Sequence, residues 1–170
     1  MNPTDQAESR KLLREAMSLH RVGRLNEAEQ YYAAFLELEP QHPQALRLRG
    51  ALAREEGNAG AALSLLQQAC AAAPDDAEAA AELGLCYLAT GELLLAEKAL
   101  REAVRLAPEH VRALANLGAL LQYRGHVGAA ADYHRRALAL DPDDIEVHCN
   151  LINTLLEAGR GAEALTECGA

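Results

Sequence analysis

Apolar positions in this chain fall into columns. One column of mostly large residues reads Leu19, Ala53, Tyr87, Leu121 and Leu155, each 34 residues after the last. Another reads Tyr32, Leu66, Leu100, His134 and Cys168. Small residues keep the same step: Ala16, Gly50, Gly84 and Gly118, then a break at Ile152, and without a break Ala28, Ala62, Ala96, Ala130 and Ala164. A third small column is Ala69, Ala103 and Ala137, with Phe35 in the first copy. Punctuation follows the same rule. Gly23, Gly57, Gly91, Gly125 and Gly159 form one set, and Pro40, Pro74, Pro108 and Pro142 another. Self-similarity at this period predicts stacked helix–turn–helix units.

Each column has a physical reading. The glycine follows a helix and can take the left-handed conformation that ends it. The proline lies just past the second helix and cannot continue it. Small columns sit where helix axes cross closely, and large ones fill the space beside them. The pattern predicts helices at about 5–21, 25–38, 43–56, 59–72, 77–90, 93–106, 111–124, 127–140, 145–158 and 161–168. Thr4 or Asp5 is a candidate cap for the first helix. Asn58, Asp75 or Asp76, and Asp143 or Asp144 are candidates for later ones. Short connections make successive helices antiparallel neighbours.

These columns resemble the tetratricopeptide repeat. The segments "ALANLGALLQYRGHVGAAADYHRRALALDP" (113–142) and "AAELGLCYLATGELLLAEKALREAVRLAP" (80–108) match it most closely. The resemblance implies an all-α, right-handed α-solenoid superhelix of about four and a half to five units. It spans one domain over residues 1–170, with copies at about 9–42, 43–76, 77–110, 111–144 and 145–170, the last incomplete. It also implies a concave groove lined by the first helix of each copy.

Composition agrees with helices and narrows the partners. The chain of 170 residues is 50% hydrophobic but only 4% aromatic. Alanine and leucine supply much of the apolar fraction, and both favour helix. A net charge of −9 argues against nucleic acid as the main partner, since phosphate binding needs clustered Lys and Arg. Cys70, Cys86, Cys149 and Cys168 form no C-x-x-C pair. Cys70 reads as a small core residue and the others as partly exposed. Free thiols fit a reducing cytoplasm, and no run suits a membrane span.

Two departures stand out. Phe35 is the only phenylalanine, and the column arithmetic pairs it with Ala53 in a large-for-small exchange. The fifth copy stops at Ala170, leaving Leu151, Ile152, Leu155 and Leu165 without a following helix. That points either to a piece cut from a longer protein or to self-association through this end.

Candidate groove positions follow helical spacing along each first helix. They include Arg10 and Arg14, then Arg47, then Glu78 and Glu82, then Arg112, Asn116, Gln122 and Tyr123, and finally Asn150 and Asn153. Arg10, Arg14 and Arg47, with Arg54 beside them, make the N-terminal half basic, and the two glutamates interrupt it. Asn116 and Asn150 stand one period apart, and an amide both donates to and accepts from a peptide backbone. The "NLG" at 116–118 is similar to the repeats of O-GlcNAc transferase, where such asparagines grip extended peptides. Arg14, Leu48 and Glu82 hold the earlier rungs, so a long ladder is not expected. The carboxylate clamp of chaperone-binding tetratricopeptide domains does not fit either register. Leu13, Met17, Leu48, Glu78 and Glu82 stand at its positions, or one copy later Arg47, Ala51, Glu82, Arg112 and Asn116.

No glycine-rich phosphate loop or G-x-S-x-G is present, and nothing calls for a cofactor or a metal. His134 and His148 read as buried, hydrogen-bonded histidines. His20, His42, His110 and His126 fall near helix ends. The reading is a protein-interaction scaffold or adaptor that performs no turnover and binds an extended peptide or partner helix. The alternative is the substrate-recruiting N-terminal part of a larger enzyme, such as a glycosyltransferase, with its catalytic domain beyond residue 170.

Overall fold

A computed structural model describes residues 3–168, with side chains from 6 to 167. Among the described residues the chain forms ten α-helices and no strand: α1 (Pro3–Arg21), α2 (Leu25–Leu38), α3 (Pro43–Glu55), α4 (Ala59–Ala72), α5 (Ala77–Ala89), α6 (Leu93–Leu106), α7 (Val111–Tyr123), α8 (Val127–Leu140), α9 (Ile145–Glu157) and α10 (Gly161–Cys168). α1 reaches back to Pro3, so Thr4 and Asp5 lie within its backbone instead of capping it. Proline is compatible with the first turn, where its missing N–H would be unpaired anyway. α3, α5, α7 and α9 each end one residue before the expected position, at a C-cap that is only half helical.

The periodic glycines and prolines act as chain punctuation. Gly91 has φ +78°, and its counterparts in the other copies lie between +71° and +79°. In every copy the glycine N–H bonds to the carbonyl three residues back, and the next N–H to one five residues back, as in Gly91 to Leu88 (3.1 Å) and Glu92 to Tyr87 (2.9 Å). This pair of hydrogen bonds satisfies carbonyls that a helix end leaves free. At the other turn the residue before each proline is forced out of helical geometry. Glu39, Ala73, Ala107 and Asp141 have φ between −131° and −138°.

One further column starts the inner helices. His42, Asp76, His110 and Asp144 stand 34 residues apart and each caps a first helix. Asp76 and Asp144 accept the N–H groups of Ala79 and Val147 at 3.0 Å. His42 and His110 do the same through Nδ1, at 3.3 Å from Ala45 and Ala113. Asn58 caps α4 by accepting from Ala61.

Small and large columns meet face to face. A Cβ added to Gly50, Gly84 or Gly118 would fall 2.8 Å from Leu66, 2.7 Å from Leu100 or 2.6 Å from His134. The Ala28, Ala62, Ala96, Ala130 and Ala164 column is buried throughout. Each helix packs on the next in sequence. Successive first helices (α1, α3, α5, α7, α9) also touch, whereas successive second helices do not. The first helices therefore line the inside of the curve.

Several packing expectations change. Phe35 does not face Ala53. It lies with Leu36, Ala45, Leu46, Ala69 and Ala79, while Ala53 belongs to a cluster with Ala62, Leu66 and Cys86. The α2–α3 contact is made at the start of α3, where the His42 ring meets Phe35 edge-on at 5.0 Å. Cys86 is fully buried, not partly exposed; Cys70 is half-buried and Cys149 exposed, and the side chain of Cys168 lies outside the described residues. Leu151 and Leu155 are covered by Ala131 and Ala164, so α8 and α10 close over them, whereas Leu165 remains 75% exposed. His148 is half-buried, with Nε2 2.9 Å from the Pro142 carbonyl. His134 is fully buried, but neither ring nitrogen has a hydrogen-bond partner.

Candidate functional site

The inner face divides into a locked middle and two open ends. The middle is held by charge. Glu82, on α5, is 4% exposed. It accepts from Arg54 Nε on α3 (3.1 Å) and from an Arg112 guanidinium nitrogen on α7 (2.8 Å). Arg112 also donates to Glu78 (3.2 Å). His110 Nδ1 accepts the helix cap, which leaves Nε2 to donate to the second oxygen of Glu78 at 2.9 Å. Three copies are thus tied by one chain of ionic hydrogen bonds. Burial pulls the Arg112 pKa down, but the hydrogen bond and charge of Glu82, with Glu78 behind it, hold it above its ordinary value.

Glu82 therefore does not present a free carboxylate to the groove. Its burial could be suspected from its column, which holds Leu48 one copy earlier, but the two arginines come from other copies and only folding brings them together. Glu82→Gln keeps the shape and removes the charge from between Arg54 and Arg112. It should lower stability by about 2 kcal/mol in a urea melt, typical of losing charged hydrogen bonds. An unchanged midpoint would show that the network is too hydrated to matter.

Other expected groove residues are also engaged. Arg47 Nε lies 3.4 Å from Asp76 Oδ2, close enough for ion pairing but without hydrogen-bond alignment. Asn116 turns its Nδ2 back to the Arg112 carbonyl at 2.7 Å. Gln122 faces the fifth copy: its Oε1 lies 2.8 Å from the buried Thr154 hydroxyl and its Nε2 donates to Glu157 at 2.9 Å. Thr154 stands in a column with Leu52, Cys86 and Leu120, and its buried hydroxyl also lies 2.7 Å from the Asn150 carbonyl of its own helix.

The ends are different. Arg10 and Arg14 are exposed on α1, with Arg14 Nε 3.4 Å from the Arg10 carbonyl. Asn150 is half-buried and Asn153 exposed on α9, and Tyr123, at the end of α7, is 79% exposed. Among the described residues no helix is long and apolar enough to cross a membrane.

Comparison with known proteins gives a consistent answer. One tetratricopeptide repeat model matches residues 13–77 and a second matches 53–121. A comparison with curated protein sequences finds no match. Among solved structures, the MamA protein is similar with a TM-score of 0.82 at 19% identity, over 95% of this chain and 88% of that one. MamA 41-end from Desulfovibrio magneticus RS-1 gives 0.83 at 20% identity, over 95% and 91%. TTC0263, a thermophilic TPR protein in Thermus thermophilus, gives 0.75 at 25% identity, over 94% and 87%. Both MamA likenesses speak to the fold alone. The shared architecture is the right-handed α-solenoid.

Proposed function

The chain belongs to the tetratricopeptide repeat family, and from that premise we propose that it is a protein-interaction scaffold whose inner face takes an extended peptide or a partner helix. Solenoid curvature builds such concave surfaces without requiring a reaction centre. The observation that supports this reading is the division of the inner face. Arg54, Glu78, Glu82 and Arg112 satisfy one another in the middle, while Arg10 and Arg14 at one end and Asn150 and Asn153 at the other remain turned to solvent or only half-buried. The locked middle fixes the curvature. The ends supply the contacts.

The chemistry of those ends gives the ligand a direction. Two arginines favour acidic side chains near the N-terminal copy. Amides near the C-terminal copies bond a peptide backbone with little regard to sequence, and Tyr123 offers a rigid aromatic surface. The expected partner segment is acidic at one end and neutral at the other.

A panel of extended peptides with the acidic half at either end tests this by fluorescence anisotropy. Acidic peptides should bind at low salt, and Arg10→Glu with Arg14→Glu should weaken them about tenfold, a change of ~1.4 kcal/mol. High salt should shrink the difference, because exposed charges are screened. Asn150→Ala with Asn153→Ala should weaken acidic and neutral peptides alike. If no peptide in the panel binds, or both double variants bind as the parent does, the inner face is not the docking surface.

A further inference from the structure

Where the second copy meets the third, small residues stand at three positions that are mostly large in other copies. Cys70 stands in the column of Leu36, Val104 and Leu138. Ala80 stands in that of Leu46, Leu114 and His148, and Ala99 in that of Tyr31, Leu65 and Tyr133. The structure brings all three to one place. They line a hollow of about 240 Å³ between α4, α5 and α6, with Leu83 and Tyr87 in its wall. It lies toward the second helices, which do not close on one another from copy to copy. Nothing in the chain refills the lost volume, and an enclosed apolar cavity of ~150 Å³ already suffices to take benzene.

The polar groups at the rim carry one unmatched charge. Asp76 caps α5 and pairs with Arg47. Glu102 accepts two hydrogen bonds from Arg105, at 2.8 and 2.6 Å. The neighbouring Glu97 is held by Arg101 and Arg124. Tyr87 is engaged as well, its hydroxyl accepting from Gln67 at 3.0 Å. Lys98 is exposed and has no acidic partner among the described residues. Burial, with Asp76 adding to it, pushes the Cys70 thiol pKa up, so this wall of the hollow stays neutral. The pattern is an apolar recess with one free cation at its mouth.

We propose that this hollow is a second recognition site, separate from the inner face, that takes a small amphipathic carboxylate. The aliphatic part, about six to eight carbons for a recess of this size, fills the space left by Cys70, Ala80 and Ala99. The carboxylate meets Lys98. A neutral ligand of the same shape gains the burial but not the charge contact. A longer chain projects past Leu95, which is 43% exposed at the rim.

Titration of the isotope-labelled full chain with octanoate, followed by two-dimensional NMR, tests the assignment, with 1-octanol as the uncharged probe. Saturable shifts should gather at Cys70, Leu83, Leu95 and Ala99 and spare α9. Ala99→Leu installs the residue the second copy carries at Leu65, and should weaken octanoate by at least about tenfold. Ala80→Leu, the residue type at Leu46 and Leu114, gives the same reading by an independent route should the first variant fold poorly. Lys98→Glu should weaken octanoate about fivefold, as for an exposed ion pair, and leave 1-octanol unchanged. Absence of saturable shifts up to the solubility of octanoate overturns the site. So does undiminished binding by both filled variants. Equal effects of Lys98→Glu on the two probes overturn the role of the charge.

Discussion

Phe35→Ala should cost the chain about 3–5 kcal/mol of unfolding free energy. Phe35 is 2% exposed and sits where α2 meets the start of α3. Its ring holds together Leu36, Ala45, Leu46, Ala69 and Ala79, with Leu12 and Leu13 of α1 against the same cluster. It also meets the edge of the His42 ring, the side chain that caps α3. Truncation thus opens a cavity and loosens a cap. Later copies carry alanine in this column. Here Ala45 and Ala79 cannot expand into the gap, so little of it collapses.

The loss should be local before it is global. In a stack each copy contacts only its neighbours, and a weakened end can open by itself. Hydrogen exchange should therefore show α1 and α2 losing protection while α7 to α9 keep theirs, with an early step in the urea transition. A melt lowered by less than ~1 kcal/mol, with exchange in α1 and α2 unchanged, would mean that the neighbours close over the gap.

Phe35 also shows what the sequence could and could not tell. Column arithmetic placed the helices to within one residue at most ends, because a glycine or a proline acts on the backbone beside it and needs no distant partner. It identified Phe35 as the odd member of its column for the same reason. It then paired Phe35 with Ala53, because a repeat period fixes which residues are equivalent but not how far along the next helix a contact falls. Glu82 illustrates the same limit for charge. Its helix position was right, but its burial depends on Arg54 and Arg112 converging from the copies on either side. The hollow beside Lys98 was legible in principle, since Cys70, Ala80 and Ala99 are each small for their columns. What the columns lack is the knowledge that these three positions face one another.

His134→Leu should stabilise the chain, and by more in acid than at neutral pH. His134 is fully buried against Gly118, with both ring nitrogens unpaired. Leaving a buried polar group unsatisfied costs about 1–3 kcal/mol. Copies two and three place Leu66 and Leu100 over Gly50 and Gly84 at nearly the same separation, so the fourth copy already has the shape for leucine. The pH dependence follows from burial, which pulls the His134 pKa below its ordinary 6.5. Well above that value the ring is neutral in folded and unfolded chains alike, and the group adds no slope. As pH falls through 6.5, the unfolded chain takes up a proton that the folded one still refuses, so stability falls until the lower folded pKa is reached. Leucine removes this contribution. Urea melts at about pH 7.5 and about pH 5.5 should thus show the variant ahead at both and its lead larger at the lower. The comparison is a difference between two chains, so titration of the surface carboxylates largely cancels. Parallel losses in the two chains would mean that His134 gains a partner on protonation, and a variant less stable at both values would mean that the imidazole packs over Gly118 better than leucine can.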